Sequence, residues 1–291
     1  MRITSVEHPY LDRFSKSFIL HTSVGAVLID TGLASGCAKI EALAPKPSAI
    51  LCTHGHWDHM GGHSYFRKKG AAIYAHQGDA HILGDLKLQW ELLYEQFRED
   101  FSIPPARRTV YGQSAGEAVP VDVYLEDGQE LTFGDCKVQV IVTPGHSSGS
   151  VCYYLPDEGV LFTGDTVCGA GFFGGLPQLN DPVTYVASLK RLKRVEAERV
   201  YSAHSPAPMG RAAYGEALSM GLDCIARLGQ LIKDFIEAHP QGFVLGQVAE
   251  HLAEKEGKSG GSGACITALA YLKAFSGRYP AAKDCCMGYC L

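Results

Sequence analysis

Two hydrophobic periods divide the chain. Residues 1–30 read as strands paired by hairpins, clearest in Ser17-Phe18-Ile19-Leu20 and Gly25-Ala26-Val27-Leu28-Ile29, because strand side chains alternate between the two faces of a sheet. Residues 36–44 read as a short helix stopped before Pro45, and Ala49-Ile50-Leu51-Cys52 as a short buried strand. Gly62 to Lys69 fits a helix and Ala72 to Ala75 a strand. Residues 77–118 carry no strand signal. Within them, Asp85 to Phe101 sets Leu88, Leu92, Phe97 and Phe101 at helical spacing with Trp90 and Tyr94 beside them, which predicts one helix ended by Pro104-Pro105. A second group of strands runs from 121 to 164. Asp181 to Arg194 then reads as a helix capped by Asn180 or Asp181 with Pro182 in its first turn, followed by a strand over 199–203.

Beyond about residue 208 the pattern turns helical: Ala212 to Ala238, Leu245 to Glu256, a break at Gly260-Gly261-Ser262-Gly263, and Ala264 to Phe275. The expected organisation is an α/β domain over 1–208, with 77–118 as a helical insertion near its active site, and a helical C-terminal cap over 209–291. A winged-helix reading of 243–279 has only Lys273 and Arg278 as positive charge in its last helix and its end. There are no internal repeats.

The 291 residues are 46% hydrophobic and 20% charged, a globular composition. A net charge of −5 argues against nucleic acid as the main partner. Met1-Arg2-Ile3-Thr4 opens into a strand-like alternation, with no signal peptide and no apolar run long enough to cross a membrane, so a cytoplasmic location is expected. The ten cysteines are scattered through apolar segments, as small buried hydrophobes are. Cys285, Cys286 and Cys290 read as a tail with free thiols, since zinc-type spacing is absent.

The densest chemistry lies in Thr53-His54-Gly55-His56-Trp57-Asp58-His59, on the loop leaving the strand 49–52. In an extended segment positions 54, 56 and 58 face the same way, whereas Asp58 and His59 must diverge as the chain turns. Such a loop can serve two neighbouring metal ions. Imidazole and carboxylate donors favour zinc, iron or manganese over calcium or magnesium. Three more candidates stand at strand ends: His146 in Thr143-Pro144-Gly145-His146-Ser147, Asp165 in Phe162-Thr163-Gly164-Asp165-Thr166, and His204 in Tyr201-Ser202-Ala203-His204. Each alone is an ordinary loop residue. Four strand ends that all deliver metal ligands form a joint pattern, because ligands on one sheet edge converge.

With Asp30 in Leu28-Ile29-Asp30-Thr31-Gly32, these motifs make an ordered set of five that resembles the metallo-β-lactamase-fold hydrolases over roughly residues 1–210. The resemblance implies a four-layer αββα sandwich with metals at one edge of two packed sheets. It implies a first ion on His54, His56 and His146, a second on Asp58, His59 and His204, and Asp165 bridging both. Asp30 would brace the metal loop without being a ligand. The cofactors would be two divalent ions, zinc first, with iron or manganese as alternatives.

Attack by a metal-bridging hydroxide needs no serine or cysteine nucleophile. His54, Asp58 and Asp165 are the residues expected to carry catalysis, with Asp58 orienting the hydroxide and relaying its proton. Trp57 and the run Gly169–Gly175 with Phe172 and Phe173 are candidate substrate walls. Thr163, Thr166, Ser147 and Ser148 are candidate hydroxyls for holding ligands.

The motif set is similar to the glyoxalase II and acyl-thioesterase branch, which implies a small-molecule thioester or activated acyl ester as substrate. Ser205-Pro206-Ala207-Pro208 departs from the glyoxalase II pattern and puts glutathione as leaving group in doubt. A lactonase or small-molecule phosphodiesterase on the same metal centre is the alternative, and a non-hydrolytic binding or effector protein the alternative of another class. A homodimer through the helical C-terminus is compatible with this reading.

Overall fold

The computed structural model describes residues 1–167, 176–258, 260–287 and 289. The expected substrate-wall run with Phe172 and Phe173 lies outside the described residues. Two six-stranded sheets stack face to face. The first has the spatial order β1 (Arg2–Tyr10), β2 (Arg13–Thr22), β3 (Gly25–Ile29), β4 (Ala49–Leu51), β5 (Ala72–His76), β6 (Val123–Leu125). Its first three strands are antiparallel hairpins and the rest run parallel, joined by helical crossovers. The second sheet comprises β7 (Glu130–Phe133), β8 (Cys136–Val142), β9 (Val151–Leu155), β10 (Val160–Phe162), β11 (Arg199–Tyr201) and β12 (Met209–Gly210), with β10 and β11 parallel.

Strict alternation decides the layers. In β3, Val27 and Ile29 enter the core between the sheets, while Leu28 turns outward. There it packs with Cys37 and Ile40 of α1 (Cys37–Leu43) and Phe66 of α3 (His63–Arg67). In β10, Val160 and Phe162 face inward, and Leu161 faces the helices on the far side. Both faces of both sheets are thus covered, which is why the strands read as apolar runs. The αββα sandwich is the architecture found.

Helix α2 (Trp57–Met60) lies in the metal-candidate loop. The insertion contains α4 (Ala80–Gly84), α5 (Leu86–Leu93) and α6 (Pro105–Ser114). The single helix expected over 85–101 is therefore not found: α5 stops where Tyr94 adopts φ −141°, ψ −59°, and a short 3₁₀ turn follows. Pro105, expected as a terminator, sits in the first turn of α6, where its missing N–H costs nothing. The strand at 123–125, the first of the second group of strands along the chain, pairs with β5 of the first sheet.

On the outer face of the second sheet lie α7 (Pro182–Leu192), capped by the Asp181 carboxylate on the N–H groups of Val183 and Thr184, and α8 (Arg211–Ala238). α9 (Leu245–Glu256) and α10 (Ser262–Phe275) join them in the same hydrophobic cluster, which also takes in Trp90 and Phe97 of the insertion. The expected glycine break contributes Ser262 and Gly263 to the start of α10. The cysteine tail forms α11 (Pro280–Cys285), with Cys290 outside the described residues. Among the described residues no helix is long and apolar enough to cross a membrane.

Candidate metal centre

His54 leaves β4 on an extended segment and His56 follows it on the same side, ending at the N-terminus of α2. The first turn of that helix separates Asp58 from His59. His146 follows β8, Asp165 follows β10 and His204 follows β11, so both sheets deliver side chains to one edge. Glycine makes two of these turns. At Gly145, φ is +132° and a Cβ would lie 2.3 Å from Tyr185. At Gly164, φ is +49° and a Cβ would lie 2.6 Å from the Thr53 hydroxyl.

The structure brings all seven candidate donors together. Within each of the sets His54, His56, His146; His54, His59, Asp165; and Asp58, His59, His204, the donor atoms lie within 4.8 Å of one another. His56 Nδ1 is 3.0 Å from both His54 Nε2 and His146 Nε2, and His59 Nε2 is 3.4 Å from His204 Nε2. Two ligands on a tetrahedral zinc, each about 2.05 Å from the ion, stand about 3.3 Å apart. The observed spacings match that edge length. Asp165 lies centrally, with Oδ2 3.6 Å from His146 Nε2 and 3.2 Å from His204 Nε2, and Oδ1 3.3 Å from His59 Nε2. Asp58 Oδ2 is 3.6 Å from His204 Nε2.

The opposite ring nitrogens are tied down. His59 Nδ1 donates to Asp30 Oδ2 at 2.8 Å, His146 Nδ1 to the Gln178 carbonyl at 2.9 Å, and His204 Nδ1 to the Phe14 carbonyl. His54 Nδ1 is 3.1 Å from the Thr53 hydroxyl, which itself donates to Asp30 at 2.7 Å. A proton fixed on Nδ1 leaves the Nε2 lone pair free for a cation. Asp30 holds a left-handed backbone, φ 54°, and also accepts the Thr53 N–H at 2.7 Å, the bracing place expected of it.

Burial, reinforced by neighbouring histidines, holds His54 well below its ordinary value and His56 down at about 3; burial also lowers His146. For His59 and His204 burial pulls the same way, yet Asp165 and Asp58 outweigh it and both rise. Burial would raise Asp165, but His204 and His59 hold it well below the carboxylate range. The shifts push His54, His56 and His146 toward the neutral imidazole and Asp165 toward the ionised carboxylate, the forms in which these groups take a cation.

Four residues at this site are not among the candidates the sequence offers, although Thr53 heads the first motif. Asp79, just after β5, accepts from Gly55 N at 2.7 Å, the Ser147 hydroxyl at 2.7 Å and Gly149 N at 2.6 Å, joining the loops of His54 and His146. Its place at a strand end on the same edge was the one available cue. Thr53 and Gln178 hold His54 and His146 as described. Tyr10, at the end of β1, donates to Asp58 Oδ2 at 2.6 Å, and burial together with Asp58 pushes its phenol well above the ordinary value, so it stays a donor. The hydroxyls expected to hold ligands turn elsewhere: Thr163 to the carbonyls of Val167 and Tyr201, Thr166 to Thr143, and Ser147 to Asp79. Ser148 is exposed.

Five of the donors, His56, Asp58, His146, Asp165 and His204, floor a cavity of about 530 Å³. Trp57 lines it, donating its indole N–H to the Tyr94 hydroxyl at 3.2 Å. The insertion adds Leu93, Phe101 and Arg107, the β1–β2 hairpin adds Arg13, and the start of α10 adds Gly261 to Ala264.

A family model described as the metallo-beta-lactamase superfamily matches residues 11–204, from the β1–β2 hairpin through the last candidate ligand. The chain belongs to this superfamily. One superfamily relative, a hydroxyacylglutathione hydrolase of Thermosynechococcus vestitus, is 29% identical over 196 residues, covering 64% of the chain and 62% of the relative's own length. The chain thus matches less than two thirds of that relative. The metallo-beta-lactamase family protein TTHA1429 of Thermus thermophilus is 22% identical, with a TM-score of 0.73 over 94% of the chain and 93% of its own, which extends the shared fold into the C-terminal helices. TTHA1623, solved in a di-iron-bound form, is 29% identical with a TM-score of 0.53 over 74% of the chain and 98% of its own.

Proposed function

We propose that the protein is a metal-dependent hydrolase that holds two divalent ions and cleaves thioesters of small acyl carriers. The observation that carries this reading is the convergence of seven donors, spaced as metal ligands are, at one sheet edge, five of which (His56, Asp58, His146, Asp165 and His204) line a cavity of about 530 Å³. His54, His56 and His146 would hold one ion, Asp58, His59 and His204 the other, with Asp165 shared. Bound there, two divalent ions supply an activated water at neutral pH and Lewis acidity toward an acyl carbonyl.

The chain's own groups do the rest. Asp58, its main-chain carbonyl held by Ser15 at 2.7 Å and its Oδ2 by Tyr10, is placed to take a proton from the attacking water and pass it to the leaving thiolate. Leu93, Tyr94, Phe101, Leu176 and Tyr185 give the acyl chain an apolar wall that excludes bulk water. Arg13 and Arg107 on the same wall suit a carrier with a carboxylate or phosphate, which revives anionic thiols as leaving groups. The hydroxyacylglutathione hydrolase relative supports the thioester choice. Zinc is the ion proposed first; the di-iron relative supports iron as the alternative. A reducing, cytoplasmic setting fits the eight free cysteines among the described residues.

A thioester and a lactone sharing one acyl chain, offered to metal-loaded protein, test the reading. Fast thioester loss that disappears in Asp165→Ala is expected. A silent thioester beside an active lactone transfers the protein to lactone hydrolysis, and silence on both rejects the assignment.

A further inference from the structure

The β1–β2 hairpin turns in two residues, Leu11 and Asp12, between the paired Tyr10 and Arg13. Leu11 takes φ 51°, a left-handed backbone that a side chain bearing a Cβ adopts only at a cost. The turn thereby fixes Tyr10 against the metal edge. Its ring packs edge-on to Trp57, with centroids 5.0 Å apart at 70°, and the residue is 8% exposed. Its hydroxyl reaches Asp58 Oδ2, the same oxygen that faces His204. Nothing in the chemistry of the wall requires a phenol there, since a phenylalanine would pack as well against Trp57.

The geometry points to Tyr10 as a positioning residue for one half of the metal centre: its phenol orients the Asp58 carboxylate and so sets the affinity of the Asp58, His59, His204 site, leaving the His54, His56, His146 site untouched. Two links support the selectivity. The ligands of the first set have other anchors, Thr53 for His54 and Gln178 for His146. On the second set, His59 is anchored by Asp30 and His204 by Phe14, so Tyr10 is the side chain that anchors the Asp58 carboxylate among the hydrogen bonds described. A hydrogen bond on a ligating oxygen also draws charge from it, so Tyr10 tunes as well as aims.

This inference rests on the two-ion reading, and the test separates the two. Cobalt(II) is titrated into metal-free wild type and Tyr10→Phe, followed by visible absorption and by competition with a chromophoric chelator. In Tyr10→Phe one equivalent is expected to bind about 10–100-fold more weakly, with its absorption bands altered, and the other as in wild type. A wild type that binds fewer than two equivalents rejects the two-ion reading and the inference with it. A wild type that binds two and a variant that binds both as tightly rejects the inference alone. Melting of the metal-free proteins is measured alongside. A lower melting temperature with both equivalents bound normally would make Tyr10 a packing residue and overturn the proposal.

Discussion

The floor and the walls of the cavity are built on different principles. The floor is delivered by strand ends from two sheets, and nearly every donor has a second bond that fixes it: His59 through Asp30, His146 through Gln178, Asp58 through Tyr10. The walls come from a broken helical insertion and from the start of α10; the insertion packs its own aromatics together, as Trp90 against Tyr94, and meets the floor where Tyr111 packs on Trp57. A floor of this kind fixes the reaction class, because a displacement of its groups is felt at once in the chemistry. Walls of this kind set the substrate and tolerate change.

The sharpest way to break that contrast is Asp165→Ala. It removes the carboxylate shared by both donor sets, and kcat/KM for a thioester is expected to fall at least about a thousandfold, which is roughly 4 kcal/mol in the barrier. Retained turnover in the purified variant would mean the floor is not where the chemistry occurs.

Asp79→Ala comes next. It strips the acceptor from three buried donors, Gly55 N, Ser147 Oγ and Gly149 N, and urea denaturation is expected to show a loss of about 3 kcal/mol. An unchanged midpoint would show that the two ligand loops stand without their tie.

Acid should expose the back of the floor. Burial lowers His8 to about 4 and His63 to about 3, against 6.5 in the unfolded chain. From about pH 6.5 down to about 4 the unfolded state therefore binds more protons, and stability falls as pH falls. Between pH 7 and 5 each ring accounts for about 2 kcal/mol. Metal-free protein melted across this range should lose less in His63→Gln than in wild type; parallel curves would contradict the assignment.

The smallest effect belongs to the wall. Arg107→Gln should raise KM for a thioester with an anionic carrier by roughly tenfold, leaving kcat and the KM of a neutral carrier unchanged. Equal changes for both carriers would remove Arg107 from substrate recognition.

The same contrast explains what the sequence could show. Metal chemistry needs particular atoms, so the candidate donors His54, His56, Asp58, His59, His146, Asp165 and His204 announce themselves by type, and their places at strand ends announce the shared edge. Asp30 was legible for the same reason. Tyr10, Thr53, Asp79 and Gln178 act through hydrogen bonds that many residue types could make. Their partners also lie far off in the chain, 23 positions between Thr53 and Asp30 and 68 between Ser147 and Asp79. The helices of the insertion are not legible in the sequence, because the end of α5 depends on the backbone at Tyr94, and Pro105 serves equally well as a helix stop or a helix start. The pairing of β6 with β5 is not legible in the sequence, because periodicity gives a strand its faces but not its neighbours.

The most direct test of the floor is its metal stoichiometry. Wild type, His146→Ala and His204→Ala would be dialysed to equilibrium against buffered zinc and the metal per chain measured by mass spectrometry. Two ions in wild type and one in each variant are predicted. One ion or none in wild type, or loss of neither ion in the variants, would contradict a centre built from two neighbouring sites.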